Sequence, residues 1–526
     1  MFLIMSGAYV GIELESEFGK IPPSFLPLGN RRLFQHQVAL APEGVDVFIS
    51  LPDSFKVSDI DRQWLHNRGV KILPVPEQMS IGASLVAALN ISGCDLDSGL
   101  QVLYGDTLYS DLPREKDVVS ISDAKNSYNW AILTSDNSNW LSHSDPNSLC
   151  NSNKIVDGYF NFSKPRELIK NITQSKWDFI KGLNLYHQSN GLSAIESIGW
   201  LDFGHVNTYY RSKAEYTTQR AFNELKINSK WIEKSSMKND KIKAEANWFK
   251  TIPDEIKGYT PQFLGSKNVL DKISYRLEYL HLTALNELFV FSKLGSNIWT
   301  QILESCLDFL EVCDNYDSVK NECGNNLKNL FSNKTNQRLQ EYCLINDIGM
   351  ETLWSFNGNK PTSLKTILED SLEFLPKGSE RNTVLHGDFC FSNILYDFRA
   401  GKIKTIDPRG ISPDGIETIY GDIRYDLAKL SHSILGLYDW IIAGYYSVEI
   451  NDNDILLDIA EREEHKITQK IFIEMVEKRF GLSAKTLYAM QIQLFLSMLP
   501  LHDDDYNRQK ALFANAFRLH NIMVEL

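Results

Sequence analysis

The run His386-Gly387-Asp388-Phe389-Cys390-Phe391-Ser392-Asn393-Ile394-Leu395, followed by Ile403-Lys404-Thr405-Ile406-Asp407-Pro408-Arg409-Gly410, decides the reading of this chain. It predicts a loop entering a short apolar strand, a polar connection, and a second strand that ends on an acid. Asn393 lies five residues after Asp388, and Asp407 nineteen after it. One carboxylate can receive a hydroxyl proton, while an amide and a second carboxylate can hold magnesium. Phosphoryl transfer from a nucleotide needs that set, because its chemistry is mostly positioning and charge neutralisation.

The pattern H-G-D-x-x-x-x-N-I-L with a following I-D resembles the catalytic loop of the aminoglycoside phosphotransferase and choline kinase family, a relative of the protein kinase H-R-D-x-x-x-x-N motif. The resemblance implies Asp388 as proton acceptor, Asn393 and Asp407 as Mg2+ ligands, and ATP as phosphoryl donor. It assigns His386 to holding the loop's shape. Gly421-Asp422-Ile423-Arg424-Tyr425-Asp426-Leu427-Ala428 resembles the family's G-D-x-x-x-D-L-A segment, which makes Asp426 a brace for the loop.

Upstream, Phe222–Ile227 and Lys230–Ser235 alternate as two antiparallel strands around an Asn-Ser turn, and Lys241–Phe249 reads as a helix. By resemblance this is a kinase small lobe. Arg220 and Asn223 would lie near the nucleotide phosphates, Lys234 would bind them, and Glu245 would pair with Lys234. Tyr275–Leu280 would be the hinge, with backbone groups around Glu278 and Leu280 meeting adenine. The plainer alternative for Lys234 and Glu245 is a strand-surface lysine and a glutamate on a solvated helix face. Residues 300–385 read as helical by periodicity, including Ile302-Leu303, Cys306-Leu307 and Phe309-Leu310. Ile467, Ile471, Met475 and Phe472, Val476, Phe480 form stripes of helical spacing expected in the core.

At 526 residues the chain exceeds one ordinary core, and domains of about 100 to 200 residues suggest about three units. We expect boundaries at 1–212, 213–285 and 286–526. A composition of 43% hydrophobic and 23% charged residues is that of a globular protein. The net charge of -13 argues against a nucleic-acid partner, which needs a basic face. Seven scattered cysteines with no C-x-x-C pair fit a reduced protein without structural zinc. The start Met1-Phe2-Leu3-Ile4-Met5 lacks a basic leader, and no run approaches about 18 apolar residues, so a cytoplasmic chain without membrane insertion is expected.

In the first two hundred residues Phe2–Met5, Val45–Ser50, Val70–Val75 and Leu100–Tyr104 read as strands, and Ser80–Asn90 as a helix capped by Ser80. Alternating strands and helices predict a parallel, doubly wound (Rossmann-like) sheet, with ligands beyond the carboxyl ends of its strands. Asp106 and Asp202 stand at such ends and could hold a metal ion that bridges phosphates. This half resembles the nucleotidyltransferases that make sugar nucleotides and CDP-alcohols. Gly105-Asp106 matches the family's G-D, Trp200-Leu201-Asp202-Phe203-Gly204 its W-x-D-x-G, and Val156–Phe162 the strand that closes over the sugar. The resemblance implies CTP or UTP as the nucleotide. The phosphate loop departs from the family: Ser6-Gly7-Ala8-Tyr9-Val10-Gly11-Ile12 lacks the signature arginine, and Pro23 takes the lysine position, with Lys20 the candidate substitute.

The expected architecture is therefore α/β: a nucleotidyltransferase fold followed by a two-lobed, protein-kinase-like α+β domain. Two classes of function stay open. One is a two-headed enzyme that phosphorylates a hydroxyl of a small sugar or alcohol and then couples the product to a nucleotide, in capsule or surface-polysaccharide synthesis. The other is a kinase whose N-terminal half only binds ligand or partners.

Overall fold

The apolar run Phe2–Met5 has no polar face to offer water, and it becomes the middle of a sheet. Strand β1 (Phe2–Met5) lies between β2 (Val47–Pro52) and β4 (Leu100–Tyr104), and β3 (Lys71–Val75) pairs with β2, all in parallel. Further along come β5 (Thr107–Leu108), β6 (Val118–Asp123), β7 (Ala131–Leu133), β8 (Leu141–His143), β9 (Lys154–Phe162), β10 (Ser193–Glu196) and β11 (Leu201–Asp202). This computed structural model describes residues 1–97, 99–123, 131–134, 139–143, 154–220, 225–228, 230–236, 239–269, 272–318, 327–377 and 381–526. Together they make a mixed α/β protein of two compact units, Met1–Tyr216 with Phe291–Lys293, and Thr217–Val290 with Leu294–Leu526.

In the first unit the sheet order is β10-β6-β9-β4-β1-β2-β3. Register places Val119, Phe160, Val102, Leu3 and Phe48 in one row across five strands. That row is buried with Leu85, Leu89, Leu168, Ile172, Leu183 and Tyr186 from three helices. Each large apolar side chain so covered contributes about 1.5–3 kcal/mol. Helix Ile81–Ser92 starts where expected, with the Ser80 hydroxyl accepting from the Ala83 amide. The sheet is not parallel throughout, as the alternation had suggested: β9 runs antiparallel to both β4 and β6. Parallel neighbours need a crossover, usually a helix, and the described residues between β6 and β9 form the short pair β7 and β8 instead.

The second unit opens with a four-stranded antiparallel sheet of β12 (Leu225–Ile227), β13 (Trp231–Ser235), β14 (Phe263–Val269) and β15 (Lys272–Glu278), in the order β12-β13-β15-β14. Helix Asn239–Thr251 follows β13. The remainder is mostly helical but carries β16 (Thr283–Ala284), β17 (Leu353–Phe356), β18 (Thr362–Ser363), β19 (Thr383–Val384), β20 (Ile394–Asp397), β21 (Lys402–Thr405), β22 (Tyr420–Gly421), β23 (Tyr446–Asn451) and β24 (Asp454–Ile459). Strands β17, β18 and β19 correct the all-helical expectation for 300–385. They are too short to leave a period, and β17 is held by a parallel partner, β24, about a hundred residues away. Only one of the two apolar stripes on helix Glu463–Phe480 is core. Phe472 and Val476 are fully buried, whereas Ile467 is 44% exposed.

Gly105 tests the first unit. A Cβ there would sit 2.7 Å from Ser6 Cβ and 2.8 Å from the Met5 carbonyl oxygen, and backbone cannot rotate away. Gly105→Ala should therefore lower stability by about 1–3 kcal/mol in urea unfolding. An unchanged midpoint would contradict the packing described.

Candidate functional site

Two neighbouring strands of the second unit bring the decisive loop together. In the antiparallel hairpin β20–β21, Ile394 faces Thr405, so the residues flanking it, Asn393 and Ile406, are adjacent, and the Ile406 amide donates to the Asn393 carbonyl at 2.9 Å. Asp407 follows at once, with a left-handed backbone (φ 55°) that turns the chain out of the strand. The Asn393 side-chain NH2 donates to the Asp388 backbone oxygen at 2.9 Å and to its carboxylate at 3.0 Å. That orientation aims the Asn393 amide oxygen away from Asp388.

The loop is held from behind by Asp426, which is fully buried in helix Ile423–Ile434. Its carboxylate accepts from the His386 amide at 2.7 Å and the Gly387 amide at 2.9 Å. Burial pushes the Asp426 carboxyl up to about 7, while those two amides pull it down. Burial also pushes His386 down to about 4, so its ring is neutral near pH 7. The two ring nitrogens are spent on the backbone: Nε2 lies 2.9 Å from the Ile406 carbonyl, and Nδ1 accepts from the Asp388 amide at 3.3 Å. A neutral ring with both nitrogens engaged shapes the loop and is no proton acceptor.

Asp388 itself keeps 39% of its side chain exposed, and its nearest cation is Lys429 at 2.8 Å. Burial would raise the Asp388 carboxyl, but Lys429 and then Arg409 outweigh it and hold the group well below the usual carboxylate range. Sequence pattern alone assigns Lys429 no role. The signal available was its position three residues after Asp426, on the same face of that helix.

Lys234 on β13 meets both Glu245, at 2.9 Å, and Asp407, at 3.0 Å. Glu245 is only 1% exposed, which removes the solvated-face alternative, and the Tyr275 hydroxyl donates to it at 2.8 Å. Burial lowers the Lys234 pKa, but Asp407 and Glu245 more than compensate and raise it. The approach of helix and loop depends on Gly410, whose Cβ position is 2.3 Å from the Ala244 carbonyl oxygen and whose φ is positive. At the hinge, the Glu278 amide donates to Gln262 O and the Tyr279 amide to Lys230 O, so the sheet already uses those two amides, and Leu280 follows β15. Asn223 and the Arg220 side chain lie outside the described residues.

The first unit assembles a smaller pair. Strand β11 pairs with β5, placing Asp202 opposite Thr107 and beside Asp106, and the Phe203 amide donates to the Asp106 carbonyl at 2.7 Å. The Cβ position of Gly204 is 2.6 Å from Asp106 Oδ2 and 3.2 Å from Asp202 Oδ1, so only glycine leaves the two carboxylates their common space. Burial first, and the Asp202 charge second, push Asp106 up to about 7. Asp202 Oδ2 is buried with no hydrogen-bond partner, and the nearest basic group, His205 Nδ1, is 3.7 Å away. Lys20 is engaged by Glu77 at 3.3 Å and stacks over the Tyr9 ring.

Among the described residues, no group of three or more His, Cys, Asp or Glu gathers as a metal centre. The oxygen sets present still fit magnesium, which commonly takes one or two protein carboxylates and completes its shell with phosphates and water. Asn393 and Asp407 offer an amide oxygen and a carboxylate, and Asp106 and Asp202 a carboxylate pair with one unsatisfied oxygen. No helix among the described residues is long and apolar enough to cross a membrane.

No protein-family model matches the chain, and no curated protein matches its sequence. Among solved structures, the chain is similar to an aminoglycoside-3'-phosphotransferase of type VIII, at 11% identity over 55% of this chain and 99% of that one, with a TM-score of 0.31. It is similar to a choline/ethanolamine kinase family protein from Mesorhizobium loti, at 10% identity over 57% and 85%, with a TM-score of 0.33. It is also similar to the inositol-1-phosphate CTP transferase from T. maritima, at 12% identity over 41% and 95%, with a TM-score of 0.30.

Asp426→Ala should strip the His386 and Gly387 amides of their acceptor and cost about 2 kcal/mol or more. Unfolding of the intact chain measures it, and a variant as stable as the parent would show that the brace carries no weight.

Proposed function

We propose that the second unit is an ATP-dependent small-molecule kinase that transfers the γ-phosphoryl group to a hydroxyl of a sugar or small alcohol. The observation that carries this reading is the double engagement of Lys234. It reaches from the sheet to Glu245 and to Asp407, the acid that ends the hairpin next to Asn393 and Asp388. A lysine fixed by a buried glutamate is pre-positioned for nucleotide phosphates, and Asp388, partly exposed and anionic, is placed to accept a hydroxyl proton. Asn393 and Asp407 would hold magnesium, which supplies neutralisation of phosphate charge. The Lys234–Asp407 contact would then open as Asp407 turns to the ion and Lys234 to the phosphates.

For the first unit the reading is a nucleotidyltransferase that uses CTP or UTP to activate the phosphorylated product. The carboxylates of Asp106, half-buried, and Asp202, buried, facing one space beside Gly204, support it. The two reactions are chemically sequential, which fits cytoplasmic synthesis of an activated precursor for capsule or surface polysaccharide. The absence of a signature arginine from Ser6–Ile12 favours the second reading, a kinase joined to a unit that only binds ligand.

Asp388→Asn should reduce acceptor-dependent ADP release by about 10²- to 10⁴-fold, and a parental rate would refute the proton-acceptor role. For the first unit, Asp106→Ala or Asp202→Ala should abolish pyrophosphate release from CTP or UTP in the presence of a sugar phosphate. A parent protein that releases none from any nucleoside triphosphate would leave the binding-unit reading standing.

A further inference from the structure

Tyr425, buried in helix Ile423–Ile434, is the centre of a group of cations next to Asp388. The Arg409 guanidinium donates to its hydroxyl at 3.1 Å and lies 5.1 Å from its ring centre. Lys429 is one helical turn beyond Tyr425 and pairs with Asp388. The Phe331 ring packs 5.6 Å from the Tyr425 ring, which brings the start of helix Lys334–Ile345 alongside. Lys334 and Arg338 are one turn apart on that helix and share a face. Burial would raise the Tyr425 phenol, but Arg409, Lys429 and Lys334 outweigh it and lower it, so all three cations lie within electrostatic reach of one point. The Lys334 ammonium is pushed down by burial and then by Arg409, Arg338 and Lys429.

Like charges gathered in a partly buried place are unfavourable unless an anion joins them. Of the four cations only Lys429 has a carboxylate within ion-pair distance among the described residues. Lys234 pairs with Glu245 and Asp407, whereas the group around Tyr425 holds Arg409 against its hydroxyl and Lys429 against Asp388. A second negative charge is thus accommodated beside Asp388, apart from the lysine that meets the nucleotide. A cationic acceptor such as choline or an amino sugar would be repelled there.

We propose that the phosphoryl acceptor is itself an anion, a small hydroxyl compound bearing a phosphate or carboxylate group that sits against Lys334, Arg338 and Arg409 with its hydroxyl on Asp388. This inference rests on the kinase reading of the second unit. In the step it describes, the acceptor O–H proton passes to the Asp388 carboxylate and the acceptor oxygen bonds to the γ-phosphorus. The bond from that phosphorus to the β–γ bridging oxygen breaks, and ADP leaves.

The test is calorimetric titration of the full chain, first with Mg·AMP-PNP and then, at saturating Mg·AMP-PNP, with matched probes. These are glycerol 3-phosphate and glycerate against glycerol, glucose 6-phosphate and glucuronate against glucose, and choline as the cationic control. At least one anion should bind about tenfold or more tightly than its neutral parent, as one charge-assisted hydrogen bond allows. The phosphate and carboxylate members tell the two oxyanion sources apart. Lys334→Met with Arg338→Leu should abolish that preference, and Lys334→Arg should retain it. If no anion exceeds its neutral partner, or choline binds best, the anionic acceptor is refuted. A parent that fails to bind Mg·AMP-PNP refutes the kinase reading instead.

Discussion

The second unit depends on one buried carboxylate accepting two backbone amides. Asp426 faces the amides of His386 and Gly387, and this fixes the direction in which the chain leaves β19 and enters the loop that ends at Asn393. Gly387 takes a positive φ there, with its Cβ position 2.8 Å from the Arg409 side chain, so the loop closes tightly on the segment after β21. The Arg409 amide donates to the His386 carbonyl and completes the closure. The hairpin and the brace together set where Asp388, Asn393 and Asp407 can be, before any ligand is considered.

Charge, more than shape, then distinguishes the positions around the loop. On one side Lys234 is shared by two acids. On the other, Lys429 and Arg409 flank the partly exposed Asp388. On the kinase reading proposed above, a loose phosphoryl-transfer transition state would ask little basicity of its proton acceptor, and an Asp388 held anionic by a lysine would suit positioning of a hydroxyl. The first unit shows the opposite arrangement, two acids with one histidine near them, which a divalent ion would relieve.

Much of this was legible in the residues. Spacing of five residues is enough to bring Asn393 back to Asp388 through a loop, and a short apolar hairpin needs no distant partner. Four parallel strands, β1 to β4, were visible as apolar runs bounded by turns, and Ser80 marked its helix. What could not be read was set at long range. The reversed direction of β9 goes with the strand pair β7 and β8 among the described residues before it, and β17 exists because β24 arrives beside it. The hairpin β23–β24 did leave a signal, apolar and polar residues alternating from Tyr446 to Ile450 and then the turn-forming run Asn451-Asp452-Asn453. Helical spacing could place Lys429 on the face of Asp426 but not say which acid it would reach.

The most direct measurement is a crystal structure of the full chain with Mg·AMP-PNP. The expected density has the metal on Asn393 and Asp407, Lys234 on the nucleotide phosphates, and the terminal phosphoryl group facing Asp388. Nucleotide bound elsewhere, or a bound nucleotide with the Lys234–Asp407 ion pair intact and the metal off both ligands, would contradict it.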